Sequence, residues 1–165
     1  MFRLLTAMPG LGYAYAHRLL WSVTLTILLT LLPASATWAA SSLGVDNGHL
    51  SACPASNNCV VSQNGDSKHA IDAIAYQINR DAAKEILLKV LTVVPRTKVI
   101  EQTDNYIHAL SKSRIFQFID DVEFYFPPNE SVIHVRSASR VGESDLGVNR
   151  RRIEQIRLAL RDLNI

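Results

Sequence analysis

The sequence predicts an α+β fold, in which a four-stranded antiparallel sheet carries two helices on one face and follows an irregular N-terminal segment. Two apolar stripes at helical spacing flank four strand-like runs, and the connections between these runs are short. Short connections make consecutive strands antiparallel neighbours, and two amphipathic helices can then cover one sheet face. We expect a signal peptide at 1–36, an irregular segment with a cysteine loop at 37–68, and the α+β domain at 69–165.

Residues 1–36 have the composition of an export signal. They contain Arg3 and Arg18 and no acidic residue, and the apolar run 19–32 is followed by a small-x-small sequence at 34–36. A basic region, an apolar run and a small-residue cleavage site define such a signal. The run is shorter than the roughly 20 apolar residues of a membrane span. We therefore expect export with cleavage, and an uncleaved N-terminal anchor is the alternative, which would be the protein's membrane contact.

The basic excess of the chain belongs to this N-terminal segment. The whole chain has 17 Lys and Arg against 15 Asp and Glu. Removal of residues 1–36 takes away two of the basic residues, so the remainder has equal numbers of both signs. A neutral domain lacks the electrostatic footprint of a nucleic-acid-binding protein, so we expect no nucleic-acid partner.

The two cysteines, Cys53 and Cys59, lie close together in the sequence CPASNNC. In an exported domain such a pair predicts one disulfide that closes a short loop. The C-x5-C spacing is not a usual zinc spacing, and the chain has no second cysteine pair. Two free, redox-active thiols are the alternative.

Two stretches carry apolar residues at helical spacing. Asp81 can cap the first helix, which runs to about Val94 because Pro95 pushes the residue before it out of the helical region. The second helix begins near Asn149, a residue type favoured at N-caps. Their apolar faces comprise Ala83, Ile86, Leu87, Val90, Leu91 and Val94 in the first helix, and Ile153, Ile156, Leu160 and Leu163 in the second.

Four strand-like runs lie between the helices, at 97–103, 106–112, 118–126 and 131–139, and a short extended piece is expected at 70–76. Successive side chains of a strand point to opposite faces, so each run divides into two sets. The set expected under the helices is Ile100, Ile107, Ala109, Val122, Phe124, Phe126, Ile133 and Val135. The opposite set is Glu101, His108, Asp121, Glu123, Tyr125, His134 and Arg136.

The turns suggest a strand register for this polar face. If the turn at 127–130 pairs Phe126 with Ser131, Glu123 faces His134 and Asp121 faces Arg136. A two-residue turn at Asp104-Asn105 pairs Glu101 with His108, and the middle hairpin can set His108 beside Glu123. Opposite charges across such pairs stabilise a sheet by about 0.2 to 1 kcal/mol each.

In this register one row of the sheet offers two imidazoles and two carboxylates. Such a set could bind a divalent metal ion, although a slip of one residue would destroy it. The favoured interpretation is a face held by cross-strand ion pairs and either solvated or covered by a loop. The metal candidates are Glu101, His108, Glu123 and His134.

Three arginines at 150–152 follow Asn149 in the first helical turn, where the positive end of the helix disfavours cations. A compensating anion can be internal, or it can be a ligand held by the helix N-terminus and the arginine forks. We expect internal ion pairs first, with Asp120, Glu143, Asp145 or Glu154 as partners. The candidates for binding an anion or a partner protein are Arg136, Arg140, Arg150, Ser137, Ser139, Asp145 and Asn149.

Several motifs resemble the exported bacterial and plastid family called Domain of Unknown Function 1499. They are the sequences DDVEF at 120–124, VRSASRVG at 135–142 and SDLGVNR at 144–150, together with CP at 53–54 and NCV at 58–60. Val61 departs from the pattern, since a small hydroxyl residue is usual there. The resemblance covers about residues 43–165 and implies a single exported domain, often in phototrophs. It implies no activity, so no catalytic residue can be carried over.

These observations together favour a binding or accessory module, exported to the periplasm, the thylakoid lumen or the cell exterior, with an unknown protein or a small anionic ligand as its partner. We expect no cofactor. The alternative is a hydrolase-like or metal-dependent enzyme that uses the His/Glu face of the sheet, with His134 and Glu123 as an acid–base pair. The sequence contains no nucleophile-elbow, H-E-x-x-H or P-loop motif.

Overall fold

The computed structural model describes residues 43–165, and the predicted export signal at 1–36 lies outside the described residues. The described part of the chain belongs to one compact unit. Within it, neither helix has the length and apolar character that crossing a membrane requires.

Ten elements follow one another along the described chain, and eight of them are strands. In order they are β1 (Val45–Asp46), β2 (His49–Leu50), β3 (Cys59–Val61), β4 (Ile74–Ala75), α1 (Arg80–Val93), β5 (Thr97–Gln102), β6 (Tyr106–Lys112), β7 (Ile119–Tyr125), β8 (Val132–Ser139) and α2 (Val148–Asp162). Strands β1 and β2 form a separate hairpin. The other six form an antiparallel sheet in the order β3-β8-β7-β6-β5, with β4 also paired to β8.

The α+β class with two helices is confirmed, but the predicted sheet of four strands is wrong because the sheet has six. The two additional strands, β3 and β4, both pair with β8, at residues 136–138 and 132–133. They are three and two residues long, respectively, too short to give a periodic signal in the sequence. Residues 59–61 therefore join the sheet although they fall in the segment predicted to be irregular.

The hydrophobic core lies between the sheet and the two helices, on the face that the sequence predicts. Side chains of α1 and α2 pack there against the apolar residues of β6, β7 and β8. The buried core includes Ala83, Leu87, Val90, Leu91, Ile107, Ala109, Val122, Phe124, Phe126, Ile133, Val135, Ile153, Ile156 and Leu160.

Two residues predicted for the core are exposed instead. The β5–β6 register shifts between Val99 and Glu101, and the bulge leaves Ile100 48% exposed. Val99 packs against the core in its place. Leu163 is 53% exposed because α2 ends at Asp162, one residue earlier.

The helix ends also differ in detail from the prediction. Asn79, not Asp81, is the N-cap of α1, and its side-chain oxygen accepts a hydrogen bond from the Ala82 amide at 2.8 Å. Asp81 lies in the first turn, where a carboxylate complements the helix dipole. Val94, the residue before Pro95, is extended, as the steric restriction before proline requires.

The predicted disulfide between Cys53 and Cys59 is confirmed, with a Cα–Cα distance of 5.7 Å. Because Cys59 is the first residue of β3, the bridge ties the loop that precedes β3 to the edge of the sheet.

The N-terminal hairpin covers part of the sheet face opposite the helices. Leu50 forms a small apolar cluster with Tyr106 and Tyr125, and Val45 packs against it. The Gly44 amide donates a hydrogen bond to Glu123 at 2.8 Å. The polar face is therefore partly enclosed by a loop, which was one of the two forms expected for it.

Candidate functional site

The polar side chains on and around β7 and β8, most of them buried, divide into two clusters on opposite faces of the sheet. The alternation of side chains along the strands causes this division. The helix-side cluster comprises Asp120, Ser137, Ser139, Asn149 and Arg152. The hairpin-side cluster comprises Tyr106, His108, Asp121, Glu123, Arg136 and Arg140.

Asn149 lies at the centre of the helix-side cluster and is fully buried. Its side-chain amide donates to the Asn58 carbonyl and to Ser139 Oγ, at 3.0 and 3.1 Å. Its side-chain oxygen accepts from Ser137 Oγ and from Arg152 Nη1. Asn149 thus joins α2 to β8 and to the residue before β3.

The prediction that Asn149 caps α2 is wrong, because Gly147 is the N-cap residue. Gly147 has a left-handed backbone with φ of 77°, a conformation that glycine adopts without steric cost. The carboxylate of Asp145 accepts hydrogen bonds from the Gly147 and Asn149 amides, at 2.9 and 2.7 Å. Asp145 therefore supplies the anion that the helix N-terminus favours.

Arg152 completes the helix-side cluster through Asp120. Its Nη2 lies 2.6 Å from Asp120 Oδ2, and both side chains are largely buried. Asp120 also accepts from Ser139 Oγ at 2.6 Å. One of the three clustered arginines thus has an internal acidic partner, as expected from the sequence.

In the hairpin-side cluster, Glu123 and Arg136 form an enclosed ion pair. Arg136 Nη1 donates to Glu123 Oε2 at 2.8 Å, and Tyr106 Oη donates to Glu123 Oε1 at the same distance. Burial, followed by the charge of Glu123, raises the pKa of Tyr106. The phenol therefore stays protonated and serves as a hydrogen-bond donor.

Asp121 joins His108 to Arg140 at the end of the sheet. Its carboxylate lies 2.8 Å from His108 Nε2 and accepts two hydrogen bonds from the Arg140 guanidinium, each at 2.9 Å. Burial by itself would raise the pKa of Asp121, but the hydrogen bonds from His108 and Arg140 outweigh it and lower that pKa to about 2.

The predicted β7–β8 register is wrong by two residues. Glu123 lies opposite Arg136, and His134 lies opposite Tyr125, because the connection between the strands is longer than the predicted turn. The pairing of Glu101 with His108 and the position of His108 beside Glu123 are confirmed.

Arg136 therefore interrupts the predicted row of metal ligands, and its positive charge would repel a metal ion. His134 instead accepts or donates a hydrogen bond with Ser62 Oγ at 3.2 Å. Burial lowers the pKa of His134. Within residues 43–165, no group of three or more His, Cys, Asp or Glu residues is arranged to hold a metal ion.

The residues predicted to form one anion site are not brought together. Arg136 and Arg140 lie on the hairpin side of the sheet, whereas Ser137, Ser139 and Asn149 lie on the helix side. Arg150 and Asp145 are found in a third place, at the N-terminus of α2. There they line a cleft of about 140 Å³, here called the cation cleft. The residues around it are Asn57, Cys59, Val60, Lys68, His69, Asp145, Gly147 and Arg150.

Arg150 is fixed against the wall of the cation cleft by two backbone carbonyls. Its Nη1 donates to the Ala70 carbonyl at 2.8 Å, and its Nη2 donates to the Lys68 carbonyl at 3.0 Å. A guanidinium has five N–H donors, so these two hydrogen bonds orient the side chain and use only part of its donor capacity.

The turn that carries Lys68 is held by Asp66 and His69. Asp66 Oδ1 accepts from the Lys68 and His69 amides and lies 2.9 Å from His69 Nδ1. These backbone and side-chain hydrogen bonds lower the pKa of Asp66. The other ring nitrogen of His69 lies 3.1 Å from the Ser56 carbonyl, so the ring bridges this turn to the cysteine loop.

Several residues that form the two polar clusters and the cation cleft were not among the candidates predicted from the sequence. Tyr106, Arg152 and Asn58 complete the two clusters, and Lys68 and His69 line the cation cleft. The basic run 150–152 offered a signal for Arg152. Lys68 and His69 lie in a loop without periodicity, so the sequence held no comparable signal for them.

One comparison with known proteins finds a match that covers most of the described residues. A family model described as "Protein of unknown function (DUF1499)" matches residues 49–160. No protein in the search of curated proteins matches the chain. Because the match spans well over half of the 165 residues, the chain belongs to the DUF1499 family.

Proposed function

We propose that the protein is an exported binding module that recognises an anionic group in the cation cleft. The group would belong to a small ligand or to an acidic segment of a partner protein. The observation that carries this proposal is the composition of the cleft, which places Arg150 and Lys68 around a space of about 140 Å³.

The charges of the cleft favour an anion. Asp145 is the acidic residue of its lining, and both of its carboxylate oxygens accept hydrogen bonds from amides of α2. Arg150 and Lys68 together carry two positive charges against the single negative charge of Asp145, so the lining keeps a positive excess. A guanidinium fork is suited to the planar or tetrahedral oxygens of carboxylate and phosphate.

The size of the cleft limits what can enter it. Pockets that enclose drug-sized ligands have volumes of roughly 300 to 1,000 Å³, whereas this cleft measures about 140 Å³. It suits one carboxylate or phosphate group, with the rest of the ligand or partner remaining outside. This supports recognition of a charged group and not enclosure of a whole metabolite.

The proposal is tested by titrating the isotope-labelled protein with inorganic phosphate and following backbone amide signals by NMR. We expect the signals of Lys68 and Gly147 to shift with saturation. Arg150→Gln should weaken binding at least about tenfold, the loss expected when a charge-assisted hydrogen bond is removed. Arg161→Gln is the matched control, because Arg161 lies at the exposed far end of the same helix.

Equal phosphate binding by Arg150→Gln and the unmodified protein would reject the cation cleft as the site. Shifts that map to other parts of the chain would have the same consequence. Export is tested separately, by N-terminal sequencing of protein recovered from the extracytoplasmic fraction, where the mature chain should begin at Thr37.

The enzyme alternative has less support in the geometry. The carboxylates on which it would depend, Glu123 and Asp121, are engaged with Arg136, Tyr106, His108 and Arg140. An acid–base pair of His134 with Glu123 would need the register that the strands do not adopt. Binding is therefore the function that we propose.

A further inference from the structure

The loop between β6 and β7 presents three large apolar side chains to solvent. Ile115 is 79% exposed, Phe116 70% and Phe118 46%. The rings of the two phenylalanines stack with their centroids 5.4 Å apart. A contiguous exposed apolar patch rimmed by polar residues is typical of a protein or membrane interaction site.

The backbone of this loop is organised by its own hydrogen bonds. The Ser113 amide donates to the Phe118 carbonyl at 2.9 Å, and the Phe118 amide donates to Ser113 Oγ at 3.0 Å. Gln117 has a left-handed backbone with φ of 55°, and its side chain donates to the Ser113 and Arg114 carbonyls. The apolar side chains are thus held outward by a structured turn.

Cations surround these apolar side chains. Residues 105–119 contain Lys112 and Arg114 and no acidic residue. Arg96 is joined to this loop because its Nε donates to the Lys112 carbonyl and its own carbonyl accepts from the Lys112 amide, both at 3.1 Å. All three basic residues are exposed. We call Ile115, Phe116, Phe118, Arg96, Lys112 and Arg114 the basic apolar tip.

The carboxylates that follow Lys112 and Arg114 in the chain already have other partners. Asp120 is paired with Arg152, and Asp121 is paired with Arg140. The tip therefore keeps a positive charge around an apolar centre, although the domain as a whole is close to neutral.

We propose that the basic apolar tip docks the protein on an anionic membrane surface. Apolar side chains that enter the boundary between headgroups and acyl chains, with cations at the lipid phosphates, are the pattern of interfacial binding. A protruding loop fits a deformable bilayer, whereas a rigid protein partner would need a cavity of matching shape. This binding is separate from the cation cleft, which lies at the N-terminus of α2.

The test is co-flotation of the protein with lipid vesicles. One set consists of phosphatidylcholine, and the other also contains about 30 mol% phosphatidylglycerol. We expect binding to the anionic vesicles and its loss at high salt. Phe116→Ser should lower the partition coefficient at least about tenfold, and Lys112→Gln or Arg114→Gln should each lower it about fivefold.

Leu158→Ser is the matched control, because Leu158 is 45% exposed on α2, outside the tip. All variants are prepared as the full chain and compared in the same processed form. Any contribution of the N-terminal apolar run to vesicle binding is then common to every sample, and the differences report on the tip.

A local probe reports insertion directly. In the background Trp21→Phe with Trp38→Phe, the substitution Phe116→Trp gives the chain a single tryptophan. Anionic vesicles with brominated acyl chains should quench its fluorescence, whereas a tryptophan introduced by Leu158→Trp should be quenched little.

Two results would overturn the proposal. One is vesicle binding and quenching that do not change with Phe116→Ser or with the charge variants, or are absent altogether. The other is a wild-type dimer in sedimentation that Phe116→Ser converts to a monomer, because the tip would then bind a second copy of this chain.

Discussion

Arg136 lies directly opposite Glu123 on neighbouring strands, and their side chains meet at 2.8 Å where both are shielded from solvent. Arg136 is 1% exposed and Glu123 0%. An ion pair this enclosed has little solvent to replace a lost partner. The pair therefore commits β7 and β8 to one register on the hairpin side of the sheet.

Removal of either partner should strongly destabilise the protein. Glu123→Gln or Arg136→Met should lower the free energy of unfolding by about 3 to 5 kcal/mol, because a buried charge loses its partner. Urea unfolding of the purified protein measures the change. The control is Glu154→Gln, which breaks the more exposed pair with Arg157 and should cost less than about 1 kcal/mol. A loss no larger than that of the control would show that the enclosed pair contributes little.

The losses in free energy of unfolding caused by these two substitutions should not be additive. When Arg136→Met is combined with Glu123→Gln, neither charge remains, so the loss of stability should be smaller than the sum of the two single losses. Strict additivity in this double-mutant cycle would contradict a direct interaction between the two side chains.

Asn149→Ala should destabilise the protein by about 2 kcal/mol or more. The substitution deprives Ser137, Ser139 and the Asn58 carbonyl of a buried hydrogen-bond partner, and each orphaned group costs about 1 to 3 kcal/mol. Thermal and urea unfolding give the change. Asn129→Ala, at an exposed position, is the control, and equal stabilities of the two variants would mean that Asn149 does not hold α2 to β8.

Asp121 should make stability depend on pH in the acid range. Its pKa is lowered from 3.8 to about 2 in the folded protein, so its stabilising contribution is present above the unfolded value. That contribution is lost as the pH falls from about 4 to about 2 and amounts to about 2 kcal/mol. We expect urea midpoints to fall over this window.

Arg140→Gln tests this source of the pH dependence. Loss of the guanidinium should raise the pKa of Asp121 towards its usual value, because two hydrogen bonds disappear. Since Arg140 is 45% exposed, solvent reduces the effect to about 1 kcal/mol near neutral pH. The variant should lose less stability between pH 4 and 2 than the unmodified protein. An unchanged pH profile would assign the effect to other carboxylates.

Reduction of the Cys53–Cys59 bridge should lower the free energy of unfolding by about 2 kcal/mol, as the chain-entropy model gives for a short loop. Urea unfolding with and without reductant measures this difference. The variant with Cys53→Ser and Cys59→Ser should already have the lower stability and should not respond to reductant. Two reactive thiols in the protein isolated without reductant would contradict the bridge.

The register of β7 and β8 shows what an alternating strand pattern can predict and what it cannot. A slip of two residues leaves every side chain on its own face. The pattern could therefore assign Glu123, His134 and Arg136 to one face while it mispaired them. Side-chain alternation fixes faces, but the length of the connecting loop decides which residues are opposite each other.

The N-terminus of α2 shows a second limit of prediction from local sequence. Asn149 has the residue type of an N-cap, yet it is buried in the first turn of α2 and bonds to β8 and to Asn58. The capping is done by Asp145, two residues before the helix-flanking Gly147. Local preference cannot distinguish these roles when a buried polar contact from a distant strand competes for the side chain.

Local patterns were sufficient to predict the two helices, the four long strands, their core face and the cysteine pair, because periodic patterning and composition act within a short stretch of chain. The tertiary structure alone decided that β3 and β4 extend the sheet along β8, that Ile100 bulges outward, and that the predicted anion-site residues separate onto different surfaces. These outcomes depend on contacts between residues far apart in the chain, whose geometry no local pattern encodes.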